Sequence, residues 1–176
     1  MSIVLVIAVY AEICRFYNIP MRFPGSVGAY NALAQVTDAE LLAKAVLWAA
    51  TAPRAAGETH NITNGDLFRW KYLWSRLAEY FELDIAEPQT ISLSSMMADK
   101  APIWNEIQQR YHLKDVAFED LAAWWFGDFI FGCDYDVISD TTKIKLHGFN
   151  QVVDSADMFV RLLDRYRMKK VLPDWA

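Results

Sequence analysis

The stretch Asn61–Trp74, NITNGDLFRWKYLW, joins a polar turn to an unusually aromatic segment, and it decides much of the fold. The Asn64-Gly65 pair indicates a turn, because glycine accepts a positive φ without a Cβ clash. The alternation over Glu58–Thr63 predicts a short strand before that turn. Asp66 stands where a carboxylate can cap a helix, which we predict over Leu67–Phe81.

Large apolar residues recur along this predicted helix at intervals of three and four positions. They form one continuous seam: Leu67, Trp70, Trp74, Leu77 and Phe81. Phe68, Tyr72 and Tyr80 lie off the seam and would cover a second surface. We therefore predict a strand-to-helix turn followed by a helix that is buried on more than one side.

The rest of the chain also has mostly helical patterns. In the first half of the chain we predict helices over Ile3–Tyr17 and from a Thr37/Glu40 capping box to Pro53. In the second half we predict helices from Pro102 to Tyr111 and over Phe118–Gly132, the latter with an interruption at Gly127. Two more are predicted over Asp140–Leu146, with Ser139 as cap, and from Asp154 to a point before Pro173. In the helix after Thr37, the predicted buried face is Leu41, Leu42, Ala45, Val46, Ala49 and Ala50. Met21–Ser26 reads as a second strand. Two isolated strands do not make a stable sheet, so we expect them to be edge strands of a sheet whose remainder lies elsewhere.

Composition and charge restrict the class of protein. The 176 residues are 54% hydrophobic, which suits one domain (1–176) with a real core. The net charge is −5 and no basic stripe occurs, so we expect no nucleic-acid partner. Cys14 and Cys133 form no paired motif, which favours a reduced, cytoplasmic setting. The apolar run Ile3–Val9 is too short to span a bilayer, so we expect no membrane role.

Catalytic motifs are scarce. The three histidines are scattered, and we predict no metal site. No glycine-rich phosphate loop occurs. Tyr166 and Lys170 match Tyr-x-x-x-Lys, the catalytic pair of short-chain dehydrogenases, but this spacing arises often by chance and Tyr166 fits the apolar face of its own helix.

The segment Trp124–Gly132, WWFGDFIFG, permits two interpretations. Its rings can fill the core, as most buried aromatic residues do. Alternatively they line a cavity, since Phe126 and Phe129 lie one turn apart and Gly127 permits close backbone approach. An apolar pocket with few polar groups suits a hydrophobic small molecule.

Four blocks in this order resemble one group of short-chain dehydrogenases: NITNGDLFRWKYLW, KAPIW at Lys100–Trp104, WWFGD at Trp124–Asp128 and KLHGF at Lys145–Phe149. The group is similar to progesterone 5β-reductase and iridoid synthase, with bacterial relatives often labelled NAD-dependent epimerase/dehydratase. The resemblance implies an α/β fold by family that is mainly α as present. It would be the substrate-binding lobe of an extended short-chain dehydrogenase, with two or three short peripheral strands and the Rossmann half missing.

The same resemblance assigns roles. Phe126 and Ala34 match substrate-binding positions, and Phe129, one helical turn after Phe126, would lie on the same wall. All three would supply shape and apolar contact. The family's cofactor loop and its catalytic Lys and Tyr precede the region present here, so we expect no catalytic or cofactor-binding residue in this chain. NADPH or NADH would serve the full-length family, in reduction of the C=C bond of an enone.

Three hypotheses follow from this resemblance. The chain is a substrate lobe that is inactive alone, a stand-alone module for hydrophobic-ligand binding or interaction, or half of a two-chain reductase. If a sheet is missing, apolar surface should be exposed, with Ile3–Val9 as the first candidate. We then expect self-association or pairing with a Rossmann half, beside an apolar small-molecule substrate.

Overall fold

The long first helix forms the centre of the fold. In the computed structural model, which describes residues 2–175, helix α1 (Ile3–Phe16) packs against the helices near the middle and end of the chain. It is apolar on nearly all sides, which is the pattern of a core helix. Val6, Ile7, Ala8 and Val9 are at most 1% exposed. The expectation that Ile3–Val9 forms an exposed apolar patch is therefore wrong, because α8 and α10 cover this segment.

The other elements follow in chain order: β1 (Met21–Arg22), α2 (Val27–Asn31), β2 (Leu33–Ala34), α3 (Ala39–Thr51), a 3₁₀ turn (Pro53–Ala55), β3 (Phe68–Arg69), α4 (Trp70–Tyr80), β4 (Ile85–Ala86), α5 (Leu93–Met96), α6 (Ala101–Tyr111), α7 (Phe118–Leu121), α8 (Trp124–Phe131), α9 (Thr142–Leu146) and α10 (Ser155–Met168). Helices thus dominate the described residues, as predicted. None of the helices described for residues 2–175 is both long and apolar enough to cross a membrane.

The strands form two separate pairs. β1 pairs with β4 in parallel, with Met21 opposite Ile85. β2 pairs with β3 in antiparallel register, with Leu33 opposite Arg69. The predicted strand Met21–Ser26 is reduced to its first two residues. The predicted strand Glu58–Thr63 is wrong, since this segment is held by single hydrogen bonds such as that from the Thr37 hydroxyl to the Ile62 carbonyl (3.0 Å).

The Asn64-Gly65 turn forms as predicted, with Gly65 at φ +96°. The cap prediction for Asp66 is wrong, because its carboxylate accepts hydrogen bonds from the backbone N–H and the hydroxyl of Ser155 (2.7 and 2.6 Å). α4 begins later, at Trp70, because Phe68–Arg69 pairs with β2. Leu67, predicted as part of the buried seam, is 49% exposed. The rest of that seam is buried, namely Trp70, Trp74, Leu77 and Phe81.

Two helices begin at a different residue than predicted. In both cases a nearby carboxylate accepts a hydrogen bond from a backbone N–H at the start of the helix. Asp38, not Thr37, is the N-cap of α3 and accepts from the Glu40 N–H (2.6 Å). The Asp140 carboxylate accepts from the Thr142 N–H (2.7 Å), so α9 begins at Thr142 and the predicted Ser139 cap is absent. Asp154 caps α10 as predicted, through the Asp157 N–H (2.8 Å).

The segment Phe118–Gly132 is divided, but not at the predicted position. The break lies at residues 122–123, between α7 and α8. Gly127 continues α8 and is buried, and a Cβ there would lie 2.7 Å from a Val6 methyl group. The glycine therefore permits close packing of α8 on α1 and does not end the helix.

Two hydrophobic clusters result. The main core contains an interlocked set of rings with centroids about 5 to 6 Å apart, formed by Phe23, Trp70, Trp74 and Phe131. The satellite cluster is smaller and consists of Leu41, Ala45, Ile144 and Phe149. Only Leu41 and Ala45 of the predicted α3 face are buried, whereas Leu42 and Val46 are 44% and 62% exposed. The reason is that the satellite cluster covers only a narrow stripe of α3.

Candidate ligand-binding cavity

A cavity of about 710 Å³ opens beside the N-terminal end of α1. One wall is α8 and another is α10, whose Met158, Leu162 and Tyr166 repeat at intervals of four and face the cavity together. Segment 32–39 and β3 complete the enclosure. Most of the lining side chains are aliphatic or aromatic, as in sites for small apolar molecules.

The three residues predicted to bind substrate lie on this one cavity. Phe126 and Phe129 approach from α8, and Ala34 approaches from β2 on another wall. Phe126 is half-buried, whereas Phe129 is 63% exposed. Their juxtaposition is a finding of the structure, and their role in binding a ligand stays a prediction.

Helix α8 is held in place by the side chain between its two cavity phenylalanines. The Asp128 carboxylate accepts hydrogen bonds from the N–H of Leu93 (2.5 Å), the N–H of Ser94 (3.1 Å) and the hydroxyl of Ser92 (3.2 Å). Burial alone would raise the pKa of Asp128, but these hydrogen bonds outweigh it and hold the pKa below its usual range. Asp128 thus stays ionised and fixes α8 on α5, so that the phenylalanines face the cavity.

Most polar side chains on the wall already have partners in the protein. Thr37 donates to the Ile62 carbonyl (3.0 Å). Asp38 is paired with Arg161 and accepts from the Glu40 N–H. The Gln35 carbonyl oxygen accepts from the Ser139 N–H (2.7 Å). These contacts leave an interior with few free hydrogen-bonding groups and little capacity for acid–base chemistry.

The loop after α8 borders the mouth of the cavity. The Val137 N–H donates to the Leu33 carbonyl (2.9 Å), and the Leu33 N–H donates to the Asp136 carboxylate (2.8 Å). This pairing places Cys133, Tyr135 and Val137 along the lining. Tyr135 is 64% exposed, so it lies at the rim.

The cavity-facing residues of α10, Met158, Leu162 and Tyr166, form the α10 stripe, and they are not among the predicted site residues. Their spacing was visible in the sequence, but the same spacing is typical of a core-facing helix. Tyr166 lines the cavity, consistent with its place on the apolar face. α10 ends at Met168 and Lys170 lies beyond it at φ +55°, so Tyr166 and Lys170 do not share one helical face.

Metal-binding groups are sparse in the described part of the chain. Within residues 2–175, no group of three or more His, Cys, Asp or Glu side chains is arranged to hold a metal ion. Both cysteines are free, with Cys14 buried and Cys133 half-buried on the cavity wall.

The comparison with known proteins agrees with the sequence resemblance. A family model described as a PRISE-like Rossmann-fold domain matches residues 1–173. The chain is 37% identical to an (S)-8-oxocitronellyl enol synthase of Camptotheca acuminata and 36% identical to one of Nepeta cataria. It is also 36% identical to a 3-oxo-Delta(4,5)-steroid 5-beta-reductase of Arabidopsis thaliana. Each alignment covers 98% of this chain and 45% of the relative, so the chain spans about half the length of these relatives. The predicted resemblance is confirmed, and the chain belongs to the PRISE-like family of Rossmann-fold domains.

Proposed function

We propose that the cavity binds the apolar enone substrate of a nicotinamide-dependent reductase, and that this chain supplies the substrate-binding lobe. The observation that carries the proposal is the meeting of Phe126, Phe129 and Ala34 on one apolar cavity of about 710 Å³. The names of the relatives, a steroid 5-beta-reductase and enol synthases, favour the same class of substrate.

The described residues do not fit a nicotinamide dinucleotide. A dinucleotide site needs a glycine-rich turn between a strand and a helix, where backbone N–H groups meet the phosphates. The nearest arrangement here is β1, Gly25 and the five-residue α2. A Cβ on Gly25 would lie 2.3 Å from the Phe131 carbonyl oxygen, so protein atoms already fill this corner.

The role of this chain in the reaction is to bind and orient. Phe126 and Phe129 offer ring surface to a hydrocarbon skeleton, and the α10 stripe offers a second apolar wall. Enclosure by these walls excludes water from the bound molecule, which strengthens electrostatic interactions at the reacting atoms. Because the hydride comes from a bound nicotinamide, we propose that the chain is inactive alone and needs a Rossmann half.

Binding of an enone tests the proposal directly. We expect a 3-oxo-Δ4 steroid or a terpenoid enal to bind the isolated chain, measured by calorimetry and by NMR shifts of cavity residues. Phe129→Ala should weaken binding by about tenfold, because the ring contributes on the order of 1–1.5 kcal/mol of apolar contact. Tyr72→Ala is the matched control, since Tyr72 is 68% exposed and lies outside the cavity lining.

Either of two results would contradict the proposal. One is the absence of any enone binding. The other is binding that Phe126→Ala and Phe129→Ala leave unchanged. A parallel titration with NADPH should give no binding to the isolated chain. Saturable binding would refute the inference that the corner formed by β1, Gly25 and α2 does not fit a dinucleotide phosphate.

A stand-alone binding module is the second candidate, and the buried state of α1 favours it. Residues Val6–Val9 are covered within this chain, so the main core is closed without a second polypeptide. Mixing the chain with a separately produced Rossmann half of a relative distinguishes the candidates. Turnover of the enone only in the mixture supports the two-chain reductase, whereas ligand binding without turnover in any mixture supports the module.

A further inference from the structure

Two of the three histidines meet at the edge of the satellite cluster. His60 Nε2 and His147 Nδ1 are 3.0 Å apart, although 87 positions separate the residues in sequence. The ring centroids are 5.1 Å apart and the ring planes are inclined by 75°. Both side chains are half-buried, so one side of the pair remains open to solvent.

The surroundings fix both rings. Trp48 packs against the His60 ring in an edge contact, with centroids 5.3 Å apart. His147 is the C-cap of α9, and its N–H donates to the Lys143 carbonyl (3.0 Å). The Glu58–Lys143 ion pair (2.6 Å) ties the His60 segment to α9 a second time. These contacts hold the two imidazole rings next to each other before any ligand binds.

The distance between the two nitrogens suits chelation of one metal ion. Imidazole is a ligand for Zn²⁺, Cu²⁺ and Ni²⁺, and its nitrogen binds such an ion at about 2.0–2.1 Å. Two nitrogens at this distance are about 2.9 Å apart at the right angle of a square-planar site, and about 3.3–3.4 Å apart at the tetrahedral angle. The observed 3.0 Å is closer to the square-planar value, which Cu²⁺ and Ni²⁺ prefer.

We propose that His60 and His147 form a two-imidazole chelate for a divalent transition-metal ion, with Cu²⁺ bound most tightly. In the neutral pair, one ring donates its N–H proton to the other ring. On metal binding, that proton moves through water to the far nitrogen of its own ring. The rings then turn so that both lone pairs point to one ion beside the N–N line, and no net proton is released.

The site is an exchangeable one. Within residues 2–175, no third His, Cys, Asp or Glu completes a cluster with this pair, so water fills the other positions. The Glu58 carboxylate contributes nearby negative charge. A bound ion would join segment 58–63 to α9 and close the satellite cluster.

Titration with Cu²⁺ tests the proposal, and the third histidine provides a matched control. We expect one Cu²⁺ per chain, with an electron spin-echo signal from two imidazoles. His60→Gln or His147→Gln should leave one imidazole and weaken binding by about a hundredfold, because chelation makes the second bond intramolecular. His112→Asn should bind like the wild type, since His112 is exposed, is not a member of the pair, and occupies a left-handed position that Asn tolerates.

The melting temperature gives a second readout. Cu²⁺ should raise it in the wild type and in His112→Asn, but not in the two pair variants, whose folded state is verified by circular dichroism. A signal from at most one imidazole in the wild type would overturn the proposal. So would equal affinity in the wild type and both pair variants, because the ion would then bind elsewhere.

Discussion

The main core and the satellite cluster are both apolar, yet they are closed in different ways. In the main core, Trp74 and Phe131 are at most 1% exposed and are surrounded by other rings. The satellite cluster has only four buried members, and polar contacts such as the His60–His147 pair close its edge. Stability should therefore reside in the main core, and local opening should occur at the satellite cluster.

The largest expected effect is the loss of a ring from the main core. Trp74→Ala should lower the free energy of unfolding by about 4 kcal/mol, because it leaves a large cavity among packed rings. It also removes the hydrogen bond from Trp74 Nε1 to the Met21 carbonyl (3.2 Å). Urea denaturation measures the change. Trp125→Ala is the control, since Trp125 is 60% exposed and its loss should be nearly neutral.

Loss of a ring from the satellite cluster should lower the free energy of unfolding by less and should loosen the fold only locally. Phe149→Ala should cost about 3 kcal/mol, the lower end for a buried phenylalanine, because solvent and mobile side chains can fill part of the space. Hydrogen exchange should accelerate in α9 and in segment 58–63 but not in α1. Leu146→Ala, on the exposed side of α9, should change neither quantity. Equal acceleration in α1 would show that the two clusters unfold as one unit.

Local patterns predicted the parts of the fold that depend on neighbours in sequence. The Asn64-Gly65 turn, the Asp154 cap and the buried seam of α4 are confirmed, because each follows from a few adjacent residues. The local pattern predicts Asp66 as the cap of the nearest helix, whereas its partner Ser155 lies 89 positions away. Such long-range hydrogen bonds leave no periodic signal.

The candidate cavity was predicted only in part, and from resemblance more than from pattern. Phe126 and Ala34 match family positions and Phe129 lies one helical turn after Phe126, and the structure brings all three to one cavity. Leu162 and Tyr166 were missed, because a helix facing a cavity has the same apolar stripe as a helix facing a core. The expected apolar patch at Ile3–Val9 failed because contacts from α8 and α10 cannot be read from α1 alone.

Self-association stays a prediction, and it now depends on other surfaces. With α1 buried, exposed apolar side chains remain at other places. They include Phe129 and Tyr135 at the cavity mouth and Val46 and Leu47 on the outer face of α3. Sedimentation of the chain with and without an enone would test it. A dimer that dissociates on ligand binding would assign the contact to the mouth.

The main core also contains a buried carboxyl group, that of Glu12. Glu12 is 3% exposed, and one of its carboxylate oxygens has no hydrogen-bond partner among residues 2–175. Arg15 and Arg167 each stack on the Trp175 ring, with guanidinium carbons 4.0 and 3.8 Å from its centroid. Burial raises the pKa of Glu12 to about 8, and attraction to Arg167 and Arg15 offsets only part of that shift.

The raised pKa of Glu12 makes the stability of the fold depend on pH in a graded way. The folded protein holds the Glu12 proton more tightly than the unfolded chain, whose carboxyl has the ordinary pKa of 4.5. The stabilisation that the protonated Glu12 gives the folded state is therefore fully present below pH 4.5, and it is lost as the pH rises to about 8. The free energy of unfolding falls in this range by no more than about 1.4 kcal/mol per pH unit. Above that pH the loss is constant.

Glu12→Gln isolates the contribution, because glutamine keeps the shape and cannot ionise. The difference in unfolding free energy between Glu12→Gln and the wild type should grow in favour of the variant from about pH 5 to pH 8 and then level off. Denaturant titrations at several pH values measure it. A difference that is constant across this range would mean that the two arginines keep Glu12 ionised in the folded state, and that the main core contains a charged cluster instead of a protonated acid.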